Sequence, residues 1–333
     1  MKKLKLPLCI AVIIAILIRP QASVDGARRA MLLWSSTVAP SLFPFFALMP
    51  VLTGPEACMA YNRLFSGLMG RLFHLPGSAA PAVVIGMLAG SPGGAIAVRR
   101  IASTEKIPAK RLSLALTGVS PAYLVLGVGC GIFGSAATGW KLAFIQAGIQ
   151  LALLILLQAF ELEEKHAIES VQLRSGILAA VESMMAICGY MVIFGAVANV
   201  LSSFVGESAG TALLLICDLP GGLARLGNGN MLLSCAAIGF AGLCIGAQNL
   251  DIMKECGIKP GEYFAVRAIA GALFACIAGV LLREENHIRQ ILPFSRVPYA
   301  FSMLFSCAAA IPGMIFLSKN LFLNKRKLEN DAE

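Results

Sequence analysis

Apolar runs about as long as a bilayer is thick constrain this chain more than anything else in it. They lie at residues 30–52, 78–98, 111–134, 139–160, 177–204, 231–250, 263–282 and 297–318. A helix needs about 20 apolar residues to cross the hydrocarbon core. With a shorter N-terminal run at 6–18, the reading is all-α: a polytopic membrane protein with about eight to ten transmembrane helices. Two weaker stretches, 56–75 and 208–227, mix apolar residues with Arg, Asn, Asp and Gly and read as interfacial or partly inserted helices. Composition agrees. Hydrophobic residues make up 58% of the chain and charged ones 14%, against roughly 25% charged in a soluble domain. The apolar excess must therefore face lipid or other helices.

The formal net charge of +9 does not point to nucleic acid. Its carriers sit at the edges of apolar runs, as Lys2, Lys3 and Lys5, then Arg99, Arg100, Lys106, Lys110 and Arg111, then Lys325, Arg326 and Lys327. That placement reads as cytoplasmic flanks under the positive-inside bias. The ten cysteines include no C-x-x-C pair, so they read as small packing residues rather than a zinc site or a disulfide framework. No cofactor is expected. The basic start and apolar run of residues 1–29 outline a signal peptide, but the run ends at Arg19-Pro20 without a clear small-x-small site. It reads as an uncleaved anchor helix.

The charged stretch 161–176 divides the remainder into a first unit, 30–160, and a second, 177–318, with a basic and polar tail at 319–333. A shift of 152 residues lays Ala89-Gly90 on Ala241-Gly242, Gly94-Ala95 on Gly246-Ala247 and Pro108 on Pro260, and it superposes the apolar runs as well. The halves therefore read as repeats. Loop 99–111 is strongly basic, whereas its counterpart 251–262 carries Asp251, Glu255 and Glu262 against Lys254 and Lys259. Opposite charge at equivalent loops is what repeats of inverted topology would show.

Chemistry concentrates in two motifs. Gly86-Met-Leu-Ala-Gly90-Ser91-Pro92-Gly93-Gly94-Ala95 sets a proline and several glycines inside an apolar run, where a helix should break. Gly239-Phe-Ala-Gly242-Leu-Cys-Ile-Gly246-Ala247-Gln248-Asn249 recurs at the equivalent place. Paired interrupted helices point to a binding site. The residues expected to hold a solute are Ser91, Pro92, Gly93, Gly94, Gly242, Gly246, Gln248, Asn249 and Ser120, the last beside Pro121 in a further broken run. Helix N-termini at Gly93-Gly94 and Gly246 would offer N–H groups to an anion. The first glycine run holds no Lys or Arg, which fits recognition by backbone. Pro40, Pro44 and Pro50 are expected to break run 30–52 near the same centre. Glu182 is a candidate coupling group and Asp218 a weaker one, because the Leu219-Pro220-Gly221-Gly222 that follows reads as a helix end. A serine nucleophile at Ser91 would need a nearby base, and His74, His166 and His287 all lie in interfacial or loop stretches. No enzymatic activity is expected.

Several stretches together resemble a known family, the sporulation integral membrane proteins of the YlbJ type, whose halves are nucleoside-recognition or Gate domains. They are Pro40-Ser-Leu-Phe-Pro44-Phe-Phe, Arg71-Leu-Phe-His-Leu-Pro76-Gly77, Gly90-Ser91-Pro92-Gly93-Gly94-Ala95 and Gly239-Phe-Ala-Gly-Leu-Cys-Ile-Gly-Ala-Gln248. The resemblance implies a permease at the cell membrane or outer forespore membrane that moves dipicolinic acid toward the spore. It implies a small-molecule solute and lipid as partners, with a homo-oligomer or sporulation membrane proteins as further ones. A nucleoside-type carrier and a non-transporting scaffold for envelope assembly are the alternatives.

Overall fold

The computed structural model describes residues 2–159 and 176–282, and every regular element among them is helical. Nearly all of the stretch 161–176, the run 297–318 and the tail 319–333 lie outside the described residues.

Helix α1 (Lys2–Ile18) gives way to α2 (Pro20–Leu33) at a proline. A proline lacks the N–H that would extend the preceding turn but fits the first turn of a new helix. A π-helical stretch, Trp34–Val38, then carries α2 into α3 (Ala39–Leu52), and Pro20–Leu52 forms one helical rod of 33 residues. The boundary expected at 29/30 therefore falls inside α2. The prolines do not break this rod: Pro44 and Pro50 lie within α3, and Pro40 stands in its first turn. The wide π turn upstream holds Ser36, whose carbonyl a proline at position 40 would otherwise crowd.

Helix α4 (Pro55–Phe73) ends on His74 in a left-handed conformation (φ 50°). The chain then bends by 95° into the segment Gly77–Ala89, which holds α5 (Ala80–Ala89). After a break at 90–92, α6 (Gly93–Ala102) folds back on α5, so closely that a Cβ on Gly94 would lie 3.0 Å from the Gly86 Cα. Short α7 (Ala109–Ala115) leads into a non-helical crossing at 116–120, a π-helical stretch Tyr123–Cys130 and α8 (Ala136–Leu156). The second half comprises α9 (Ile177–Ser202), α10 (Glu207–Cys217), α11 (Leu219–Leu226), α12 (Met231–Phe240), α13 (Gly242–Ile252) and α14 (Pro260–Leu281). Asp218 sits at the junction where α10 ends, but Leu219-Pro220-Gly221-Gly222, expected as a helix end, form the first turn of α11, and the Asp218 carbonyl accepts the Gly222 N–H there.

Five helical segments among the described residues are long and apolar enough to cross a membrane, or six if the bent pair Pro55–Phe73 and Gly77–Ala89 counts as one span. The protein is a multi-pass membrane protein, with fewer spans there than the eight to ten expected. Run 297–318 lies outside the described residues, run 78–98 is a hairpin of half-helices, and run 111–134 is interrupted by the crossing at 116–120. Element order recurs after the 152-residue shift, with α5 and α6 answering to α12 and α13. The copies differ in shape, since α12 and α13 stay in line as one span, Met231–Ile252.

Small residues let the second-half helices touch backbone to backbone. A Cβ on Gly239 would lie 2.6 Å from the Ala270 carbonyl oxygen, and one on Gly271 2.8 Å from that of Ala236. The outward faces carry bare apolar side chains, among them Leu64 at 77% exposure and Val280 at 75%, as a lipid-facing surface requires.

The two loops expected on opposite sides of the membrane instead touch each other. Arg99 forms a two-point ion pair with Glu255, at 3.1 and 2.9 Å, and Lys110 pairs with Glu262 at 3.1 Å. Arg111 is buried and donates to the Leu154 and Phe73 carbonyls at the ends of α8 and α4. Mutual pairing thus accounts for the opposite charges of the loops, and the charge argument for inversion falls.

Candidate solute site

The first break is made by close packing. Gly90 has φ +63°, and a Cβ there would lie 2.6 Å from the Ser120 backbone nitrogen and Cα. Only glycine admits that approach at that φ. The Ser91 N–H, released from helix, donates to the Gly118 carbonyl at 2.7 Å. In the other half, Ala241 (φ 70°) and Gly242 (φ 75°) interrupt the line of α12 and α13. The first break meets the body of α13, well past the second break: the Asn249 amide donates to the Ser91 hydroxyl and to the Tyr263 hydroxyl, each at 2.9 Å. Asn249 is fully buried.

A cavity of about 440 Å³ opens beside this junction, between α6, α9 and α13. Its wall includes Pro92, Ile96, Arg99, Arg100, Glu182, Ser183, Tyr190, Gln248 and Asp251. Two cationic and two anionic side chains balance in it, so the cavity does not select ions by net charge. Arg99 is held by Glu255, and Arg100 donates to the Thr53 hydroxyl at 3.1 Å. The volume is within the range of small-molecule sites.

Of the residues singled out from sequence, Pro92, Gln248 and Glu182 line this cavity, and Ser91 and Asn249, next to Pro92 and Gln248 in the chain, bond to each other without lining it. Glu182 stands exposed on α9 at the rim. The others serve packing. A Cβ on Gly94 would meet the Leu116 carbonyl oxygen at 2.5 Å, and one on Gly93 the Ala89 Cβ at 2.7 Å. The Gly94 N–H is already bonded to the Gly90 carbonyl. Gly246 is not a helix N-terminus: α13 begins at Gly242, and Gly246 makes room for Phe264 and Tyr263. Gly242 lies against Ile216 and Leu219. Ser120 is buried behind Gly90, and its hydroxyl accepts the Tyr123 N–H at 3.3 Å. Gly93-Gly94 thus open α6 as expected, with the Gly94 N–H taken up by the Gly90 carbonyl, whereas the helix N-terminus expected at Gly246 is corrected, because Gly246 lies inside α13.

Sequence reasoning missed the most costly group in the interior. Arg267, on α14 one turn beyond Tyr263, is fully buried and donates one Nη to the Thr117 carbonyl at 2.6 Å. Its Nε and other Nη have no hydrogen-bond partner among the described residues. Gln146 on α8, 2% exposed, likewise leaves both amide atoms unpartnered. The signal was available, because an arginine inside the apolar run 263–282 is a functional candidate by default.

No family model matches the chain, and no solved structure does. It is 23% identical over 319 residues to the sporulation integral membrane protein YlbJ of Bacillus subtilis (strain 168), an alignment covering 79% of this chain and 78% of that protein. With its helical, lipid-facing architecture, the chain is a multi-pass membrane protein similar to that sporulation integral membrane protein.

Proposed function

We propose that the chain is a membrane permease for a small polar or anionic solute, and that in a sporulating cell this solute is dipicolinic acid. The observation that carries the proposal is the bond between Asn249 and Ser91, which joins two interrupted helices beside a cavity. Non-helical backbone within a bilayer is tolerated where protein covers it or where it lines a polar cavity. Broken helices meeting in this way are the usual seat of a transported solute. A purely structural junction would be cheaper if built from apolar side chains, because buried polar groups stabilise little and cost much when unpaired. The Ser91 hydroxyl faces an amide rather than a base, an arrangement suited to binding rather than bond cleavage. The choice of solute rests on the family resemblance in the sequence, and the likeness to a sporulation membrane protein supports a role in sporulation.

In operation the solute enters the cavity past Arg99 and Glu182, and its polar groups exchange with the Ser91 to Asn249 bond. The α5–α6 hairpin then shifts against α13 to open the other side. The test is uptake of labelled dipicolinate by proteoliposomes carrying the purified chain. Asn249→Leu should cut uptake by about tenfold or more, equivalent to about 1.4 kcal/mol, with insertion and monodispersity retained. Absence of uptake by the unaltered chain, together with normal spore dipicolinate in cells lacking the gene, would overturn the proposal.

A further inference from the structure

Arg267 has no carboxylate partner among the described residues, although its side chain is wholly excluded from solvent. A single bond to the Thr117 carbonyl engages one of its three nitrogens. The two left over, Nε and one Nη, form one edge of the planar guanidinium, spaced to grip both oxygens of a carboxylate. Other unpartnered groups surround the same crossing. The Gln146 amide lies against Gly118, where a Cβ would come within 2.3 Å of its Nε2, and neither of its polar atoms has a partner. The Asn249 Oδ1 is also unpartnered, while its Nδ2 ties Ser91 to Tyr263, one turn from Arg267 on α14. Hydrogen bonds therefore link Ser91, next to the cavity-lining Pro92, through Asn249, next to the cavity-lining Gln248, to Tyr263, one turn before Arg267 on α14. An arginine kept only to anchor the crossing would be expected to pair its remaining donors.

We propose that Arg267 is the anion-recognition residue of the transport path, receiving a carboxylate of the solute in an inner subsite behind the Ser91, Asn249 and Tyr263 layer. Gln146 lies beside the crossing to bond the neighbouring polar atom. The proposal rests on the permease reading and adds to it a requirement for a carboxylate.

The test uses the full chain in lipid nanodiscs with two probes, dipicolinate and the uncharged pyridine-2,6-dicarboxamide. Dipicolinate should raise the thermal midpoint of the unaltered chain, and the dicarboxamide should not. Arg267→Gln should keep the elution profile and lose dipicolinate affinity by about tenfold or more, with Arg267→Lys in between. A role confined to anchoring would lower the midpoint without changing discrimination between the two probes. Equal stabilisation of the unaltered chain by both probes overturns the proposal even if no variant folds. Undiminished dipicolinate uptake by folded Arg267→Gln overturns it and leaves the permease reading standing. Failure of the unaltered chain to bind or move either probe overturns both.

Discussion

Glycine acts differently at the two ends of one motif. Gly90 is required by conformation and contact together, since its φ is +63° and the Ser120 backbone passes where a side chain would start. Gly94 has ordinary helical geometry and is required by contact alone, with the Leu116 carbonyl and the Gly86 Cα pressed against it. Gly94→Val should therefore destabilise the fold by about 1–3 kcal/mol through overpacking, seen as a lower thermal midpoint in detergent and a smaller folded fraction. A variant that folds at full yield and fails only in uptake would return Gly94 to the solute site. Gly67 is the control, with open space where its side chain would begin. Gly67→Ala should leave the midpoint unchanged or slightly raised, because alanine removes backbone freedom from the unfolded chain.

The elements around the site are held by charge as well as by packing. Loops 99–111 and 251–262 carry opposite charges and are clamped together by Arg99–Glu255 and Lys110–Glu262. The pairs differ in worth because they differ in burial. The Arg99 and Glu255 side chains are 30% and 38% exposed, and those of Lys110 and Glu262 are 7% and 15%. Removing one partner of a buried pair leaves an uncompensated charge and costs about 3–5 kcal/mol, whereas an exposed pair is worth about 1 kcal/mol or less. Glu262 also accepts the Lys259 N–H at the start of α14, which adds to its loss. Glu262→Gln should thus lower thermal stability several times more than Glu255→Gln. Equal effects of the two changes would show that burial does not rank them.

At the scale of the whole molecule, the permease proposal demands that α6 and the loop after α13 separate at some stage, because the Arg99–Glu255 pair ties them together at the cavity wall. Replacing the ten native cysteines and introducing Arg99→Cys with Glu255→Cys would allow the mouth to be locked. Uptake should fall to background on oxidation and recover on reduction. Unchanged uptake with the cross-link complete would mean that this face does not move. The lipid-facing surface makes a separate demand. Phe144 on α8 is 72% exposed, and Phe144→Lys should penalise insertion by about 2.5–3.5 kcal/mol if it lies at mid-bilayer, read as loss of chain from the membrane fraction.

Membrane spans are legible in a sequence because the bilayer imposes a local rule, enough consecutive apolar residues to cross it, which 139–160 and 177–204 satisfy without reference to any partner. The interruptions at 90–92 and 241–242 are legible for the same reason, since glycine and proline act on their own turn of chain. Tertiary structure alone decided that Ser91 would meet Asn249, 158 positions later, and that Gly94 and Gly246 would serve packing. It also decided that two loops of opposite charge would bind each other, and that Arg267 would be buried with two of its nitrogens unpaired. Each of these is a contact between distant segments, and no local propensity encodes which carbonyl, carboxylate or amide a side chain will face once the helices have packed.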